Sequence, residues 1–238
     1  MACQLNISHK YKSCNFDSRK KKISFIIIHY TETKTFKKAI DLLTDKIRKV
    51  SCHYVIDTNG KIFNLVDIMD RAWHAGESKW MKSSDINSRS IGIELVNPGE
   101  EKVGKFKKKQ ISNLILLIKF LKEKFKISNS KILGHSDIAP LRKADPGIYF
   151  PWKQLYKQSI GLWEKDKNVT SKLTKREYSE LIANLKKIGY CYLNDLDFTQ
   201  NKYVINAFHR HYIPKMINKD PNKSTLLKSR DIIRLKKN

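Results

Sequence analysis

Apolar positions along the 238-residue chain recur in two periods that divide it into two parts. The first block, ISFIIIHY from Ile23 to Tyr30, is an unbroken β-branched and aromatic run of strand length, which predicts a buried strand. Residues 1–20 ahead of it are polar and lead into the basic run Arg19 to Lys22, so they are expected to form an N-terminal arm. Over residues 36–47, Ala39, Ile40, Leu42, Leu43 and Ile47 fall on one side of a helix. Alternation returns in SCHYVID and IFNLV. The turn between them, Thr58-Asn59-Gly60-Lys61, predicts a hairpin. Residues 67–88 show no period and are expected as a loop. Ser90 to Val96 (SIGIELV) reads as a fourth strand, stopped by Asn97-Pro98-Gly99. Ile111, Leu114, Ile115, Ile118 and Leu121 form one apolar face of a long helix from about Lys108 to Phe125. A short strand, KILGH, then leads into the loop SDIAPLRKADPGIYFPW.

The second part starts near Val169. Thr174 and Glu177 form a capping box ahead of a helix through Lys187, and Gly189 stops it. NKYVINAFHRHY predicts another helix with Tyr203, Ile205, Ala207, Phe208 and His211 facing inward. After the break at Asp220-Pro221-Asn222, Ser224 to Lys236 suits a third. The expected organisation is therefore an arm (1–20), an α/β domain (21–165) and a small three-helix domain (170–238).

Composition sharpens this picture in three places. Lys and Arg outnumber Asp and Glu to a formal net charge of +25, which favours polyanionic surroundings such as nucleic acid, an anionic membrane surface or an anionic wall polymer. An abundance of Lys, Ile and Asn also follows from an A- and T-rich gene. The basic residues are spread along the chain and form no recognised nucleic-acid reader, so no specific nucleic acid is expected as a partner. Cys3, Cys14, Cys52 and Cys191 are scattered without metal or redox spacing. No apolar run reaches the roughly 18 residues of a transmembrane helix, and the N-terminus lacks an apolar signal core. Ala2-Cys3 would suit the remnant of a lipoprotein cleavage site in a longer precursor.

Chemistry gathers where polar residues close apolar strands. His29 ends the first strand, Glu94 sits between Ile93 and Leu95 in the fourth, and His135 ends the fifth. Asp145 lies ten residues further on, in a loop bounded by Pro140 and Pro146. Two histidines and an aspartate are a ligand set for a catalytic zinc with one open position. A carboxylate such as Glu94 can serve as general base there, and a cation such as Lys143 can stabilise an oxyanion. Spacing alone leaves this open, because strand-end histidines, strand glutamates and loop lysines are common for purely structural reasons.

The surrounding strings are more specific. FIIIHYTET, SCHYVIDTNGKIFNLV, RAWHAGES, SIGIELVN and GHSDIAPLRKADPG occur in that order over roughly residues 20–155. In them the chain resembles the type-2 N-acetylmuramoyl-L-alanine amidase family, which includes the peptidoglycan recognition proteins. The resemblance implies a mixed central β-sheet flanked by helices, with a zinc cleft at the strand ends. It implies His29, His135 and Asp145 as ligands of one Zn2+ per chain, Glu94 as the carboxylate that activates water, and Lys143 as the oxyanion-stabilising cation. His74, in the WHAG string, is expected to line the cleft near the substrate. His53 is expected to pack or hydrogen-bond behind the site, and His209 and His211 to point apart on their helix.

The implied activity is zinc-dependent hydrolysis of the amide between N-acetylmuramic acid and L-alanine, in peptidoglycan or in muropeptides. A non-catalytic recognition protein of the same fold is one alternative, against which the full set of five residues argues; a basic nucleic-acid-binding protein, suggested by the charge alone, is the other. YVINAFHRHYIP gives the C-terminal part a looser resemblance to the helical peptidoglycan-binding domain of some bacterial amidases. The working form is expected to be a monomer in the bacterial envelope or periplasm, or alternatively in the cytoplasm.

Overall fold

The computed structural model of the protein describes residues 5–102, 104–194 and 197–237, so Ala2 and Cys3 lie outside the described residues. In chain order the strands are β1 (Ile7–Ser8), β2 (Phe16–Ser18), β3 (Phe25–Tyr30), β4 (Tyr54–Ile56), β5 (Ile62–Asn64), β6 (Asp70–Ala72), β7 (Ser90–Leu95) and β8 (Ile132–Gly134). The helices are α1 (Phe36–Thr44), α2 (Ile86–Arg89), α3 (Lys108–Phe125), α4 (His135–Ile138), α5 (Trp152–Tyr156), α6 (Lys175–Ile188), α7 (Phe198–Tyr212) and α8 (Lys223–Lys237).

Six strands form one mixed sheet in the order β1-β5-β4-β7-β3-β8, in which only the β4–β5 hairpin is antiparallel. This is the expected α/β class with a mixed central sheet. The N-terminal segment does more than trail as an arm: β1 adds the edge strand beside β5, and β2 pairs with β6 in a separate two-stranded ribbon. β6 and α2 also lie in the stretch expected as loop.

Side-chain alternation assigns the two faces of the sheet. Ile26 and Ile28 of β3 and Ile91, Ile93 and Leu95 of β7 pack with the apolar face of α3. Phe25 and Ile27, one position out of phase, turn to the opposite face. There they pack with Leu181, Leu185, Val204 and Phe208 of α6 and α7. The helices expected over 170–238 thus form, and they share one buried cluster with the sheet. Three polar links cross the same boundary. Arg210 of α7 grips Glu100 through Nε and Nη2, Tyr190 donates to Asp137, and His211 bonds the same carboxylate. Gly189 stops α6 as expected, at φ 145°, and no other residue fits: a Cβ there would sit 2.3 Å from the Trp80 ring.

Two apolar positions depart from the periodic reading. α1 ends at Thr44, because the Asp45 side chain accepts the Ile47 N–H in a local turn that competes with the helix, and Ile47 is left 89% exposed. Tyr203 is 52% exposed. The inward face of α7 runs through Val204, Ile205, Phe208 and His211, and Tyr203 lies about 100° round the helix from Val204. Cys14, Cys52 and Cys191 are unpaired. No helix among the described residues is long and apolar enough to cross a membrane.

Truncating Phe208 to alanine, at a fully buried position, should cost about 3–5 kcal/mol. Urea unfolding would measure this and should show a single transition. A chain ending at Asn168 should melt at a lower temperature and bind an apolar dye, since Phe25, Ile27 and Ile138 lose their cover. An unchanged melting temperature would instead mark the helices as a separable module.

Candidate active site

Parallel pairing sets the site. β3 lies between β7 and β8, with His29 in register with Glu94 and Ile28 in register with Gly134. The residue after Gly134, His135, opens the single-turn helix α4 rather than ending a strand, and so comes beside His29. On β7 the alternation that sends Ile91, Ile93 and Leu95 to α3 leaves Ser90, Gly92 and Glu94 on the other face, the one that carries His29. The chain then returns through Pro140 and brings Asp145 to the same point. His29 Nδ1 lies 3.0 Å from His135 Nδ1 and 2.9 Å from Asp145 Oδ2, and His135 Nδ1 lies 3.2 Å from the same oxygen.

All three residues are buried, and their ligand atoms lie within 4.8 Å of one another. Two imidazole nitrogens and a carboxylate oxygen aimed at one point fit a divalent metal. Without a cation between them, the two nitrogens would face each other with at most one proton to share, so the donor chemistry itself argues for the ion.

The cluster sits in the wall of a cleft of about 650 Å³, also lined by Glu94, Lys143, Arg48 and Glu100. Glu94 is buried, and its Oε2 has no hydrogen-bond partner among the described residues. Burial, then the neighbouring Asp145, pushes its carboxyl well above the usual range, with Lys143 opposing. Burial lowers His29 to about 4, helped by His135. Burial acts on Asp145 in the opposite sense, but His135 and His29 outweigh it and hold that carboxyl below its ordinary range. Lys143 is exposed at the cleft, on the turn where its N–H bonds Ala139.

The five expected residues therefore come together. His74 lines the cleft wall and is buried there, with one ring nitrogen 3.0 Å from His29 Nε2 and the other 3.0 Å from Ser90 Oγ. His53 hydrogen-bonds behind the site, accepting the Gly92 N–H at Nδ1. His209 and His211 do point apart, to Thr225 and to Asp137.

Residues 19–148 match the N-acetylmuramoyl-L-alanine amidase family. The chain belongs to that family. N-acetylmuramoyl-L-alanine amidase AmiD of Escherichia coli is 36% identical over 223 residues, which cover 86% of this chain and 80% of that protein. The solved complex of AmiD with the substrate anhydro-N-acetylmuramic acid-L-Ala-D-gamma-Glu-L-Lys superposes with a TM-score of 0.82 at 30% identity, covering 92% of each chain. AmpDh3 of Pseudomonas aeruginosa, solved with anhydromuramic pentapeptide, superposes at 0.79 with 29% identity over 91% of this chain and 93% of that one.

Several residues that build this amidase's site escape a reading of spacing. Asp137 accepts from Gly134 N–H, Tyr190 and His211 and so fixes the turn that carries His135. Its position three residues after Gly134 is a legible helix-start signal; its two partners are distant in sequence and gave none. Arg142 donates to the carbonyls of Ala75 and Glu77, pinning the WHAG loop against His135.

The Glu94 shift makes a signed prediction for the metal-free amidase. Its folded pKa lies above the unfolded value, so the stabilising contribution is full below the unfolded pKa and is lost as pH rises toward the folded one. Glu94→Gln should therefore melt above the parent at neutral pH and near it at pH 4. Thermal unfolding across that range, with chelator present, measures the difference.

Proposed function

We propose that the chain is a zinc-dependent amidase acting through one Zn2+ per chain held by His29, His135 and Asp145. The reaction is hydrolysis of the amide joining N-acetylmuramic acid to L-alanine, in peptidoglycan or a muropeptide. The observation that carries the mechanism is the unpartnered, buried Glu94 carboxylate beside the three converging ligand atoms in an open cleft. Bound zinc would supply Lewis acidity toward the lactyl amide carbonyl and lower the pKa of a water to about 7. Glu94 takes the proton of the attacking water and delivers it to the departing amine of L-alanine. Lys143, at the cleft and free to swing, holds the negative charge that develops on the carbonyl oxygen. His29, His135 and Asp145 stay fixed throughout, each held by buried contacts.

The working form is proposed to be a monomer in the bacterial envelope or periplasm, with the cytoplasm as the alternative. For residues 170–238, the shared core supports bracing of the catalytic sheet alongside the peptidoglycan-binding role implied by their resemblance.

The purified protein should carry about one zinc, lose turnover of a soluble muropeptide on chelation and regain it with zinc. Glu94→Ala should keep the metal and lose roughly 100-fold or more in turnover, the scale of general base catalysis. His29→Ala and Asp145→Ala should lose the metal itself. Metal analysis together with product release would decide. Full turnover by the metal-free protein, or by Glu94→Ala, contradicts the mechanism.

A further inference from the structure

The two candidate histidine ligands present Nδ1 to the metal point by different means. His135 Nε2 lies 3.1 Å from the carbonyl oxygen of Ala75. A carbonyl only accepts, so Nε2 carries the proton and Nδ1 is left with its lone pair. His29 has another histidine in that place: its Nε2 lies 3.0 Å from His74 Nδ1. Taken alone, that contact does not say which ring donates.

The direction is set further along. His74 Nε2 lies 3.0 Å from Ser90 Oγ, and Ser90 Oγ lies 2.6 Å from the Ile86 carbonyl oxygen. The hydroxyl has one proton and Ile86 can only accept it, so Ser90 faces His74 as an acceptor. His74 must then donate from Nε2. It is buried and has no carboxylate among its hydrogen-bond partners, so it is neutral and its Nδ1 is a lone pair. His29 must therefore donate from Nε2, which leaves Nδ1 unprotonated toward Asp145 and His135.

We propose that the Ile86 carbonyl, Ser90 and His74 form a one-way hydrogen-bond chain that dictates which nitrogen of His29 meets the metal. His74 and Ser90 are thus positioning residues for the metal site. Substrate contact is a poor use for His74, since both of its ring nitrogens are already engaged.

The surroundings are built to hold this chain. Asn87 Oδ1 accepts from the backbone N–H of both His74 and Ala75, at 3.1 and 2.7 Å. Arg19 donates to the carbonyls of Asn87 and Ser88, fixing α2, the turn to which Ile86 and Asn87 belong. Gly92 lies against the His74 ring so closely that a Cβ would be 2.4 Å from its Cγ. A glycine on β7, a four-residue helix and a distant arginine thus converge on one imidazole.

The proposal rests on the reading that His29, His135 and Asp145 hold zinc, and its test separates the two. Zinc affinity of the full chain would be measured by competition with a chromophoric chelator for the parent, Ser90→Ala, His74→Leu and His74→Asn. Melting temperatures of the zinc-free proteins and imidazole 1H–15N spectra of the zinc-loaded ones would be recorded alongside. Ser90→Ala and His74→Leu should each weaken zinc about 10- to 100-fold, the usual effect of removing a partner behind a ligand. His74→Asn should recover part of the loss, because its amide oxygen can accept from His29 Nε2. The parent spectrum should show His29 protonated at Nε2. Parent-like affinity in both Ser90→Ala and His74→Leu, or a proton on Nδ1 of His29, would overturn the positioning role while leaving the zinc site standing. So would losses that only track a lowered melting temperature and that His74→Asn does not relieve. A parent that takes up no zinc would overturn the metal reading, and this one with it.

Discussion

Parallel registration of β3 with both of its neighbours is the constraint from which the site follows. It brings the C-terminal ends of β3, β7 and β8 to one edge, and there His29, Glu94 and His135 arrive from segments spread over more than 100 residues of chain. Ligand sites at the carboxyl ends of parallel strands are a general consequence of this geometry, because the backbone diverges there and leaves room. Alternation does the rest. β7 sends three apolar side chains to α3 and keeps Ser90, Gly92 and Glu94 for the opposite face, so one strand supplies a core, a hydrogen-bond anchor and a buried carboxylate at the cleft.

A polar face inside the protein is costly unless its groups are paired. Asp137 is paired three times over, and the two candidate ligand histidines, His135 and His29, are backed by Ala75 and His74. Against that background the bare Oε2 of Glu94 is informative. Glu94 lines the cleft, and its buried Oε2 is left without a partner near the cluster of His29, His135 and Asp145, as a group reserved for a reacting partner would be.

Much of this was legible in the chain. The run ISFIIIHY, the Asn-Gly hairpin, the period of α3 and the Thr174 capping box each state their structure locally, and all four are present. The five chemical residues were named from ordered strings, since their spacing alone is uninformative. What stayed hidden depends on contacts between distant segments. Nothing local marks residues 7–8 as a strand, because only β5 makes them one. Asp45 ended α1 through a side-chain turn that a hydrophobic period does not register. The role of Ser90 depends on a carbonyl four residues before it and on a ring sixteen residues before it.

The cross-linked Asp137 has a consequence for inheritance. Its carboxylate is hydrogen-bonded from two directions, by the backbone of its own turn and by Tyr190 and His211 of the C-terminal part. Recombination that replaced those helices with an unrelated cell-wall module would strip two of its three donors and leave a buried charge beneath the turn that carries His135. A shuffled gene would therefore need a compensating change at Asp137 before it could work. The two halves of this chain should accordingly travel through evolution together, with drift at Tyr190 and His211 coupled to position 137.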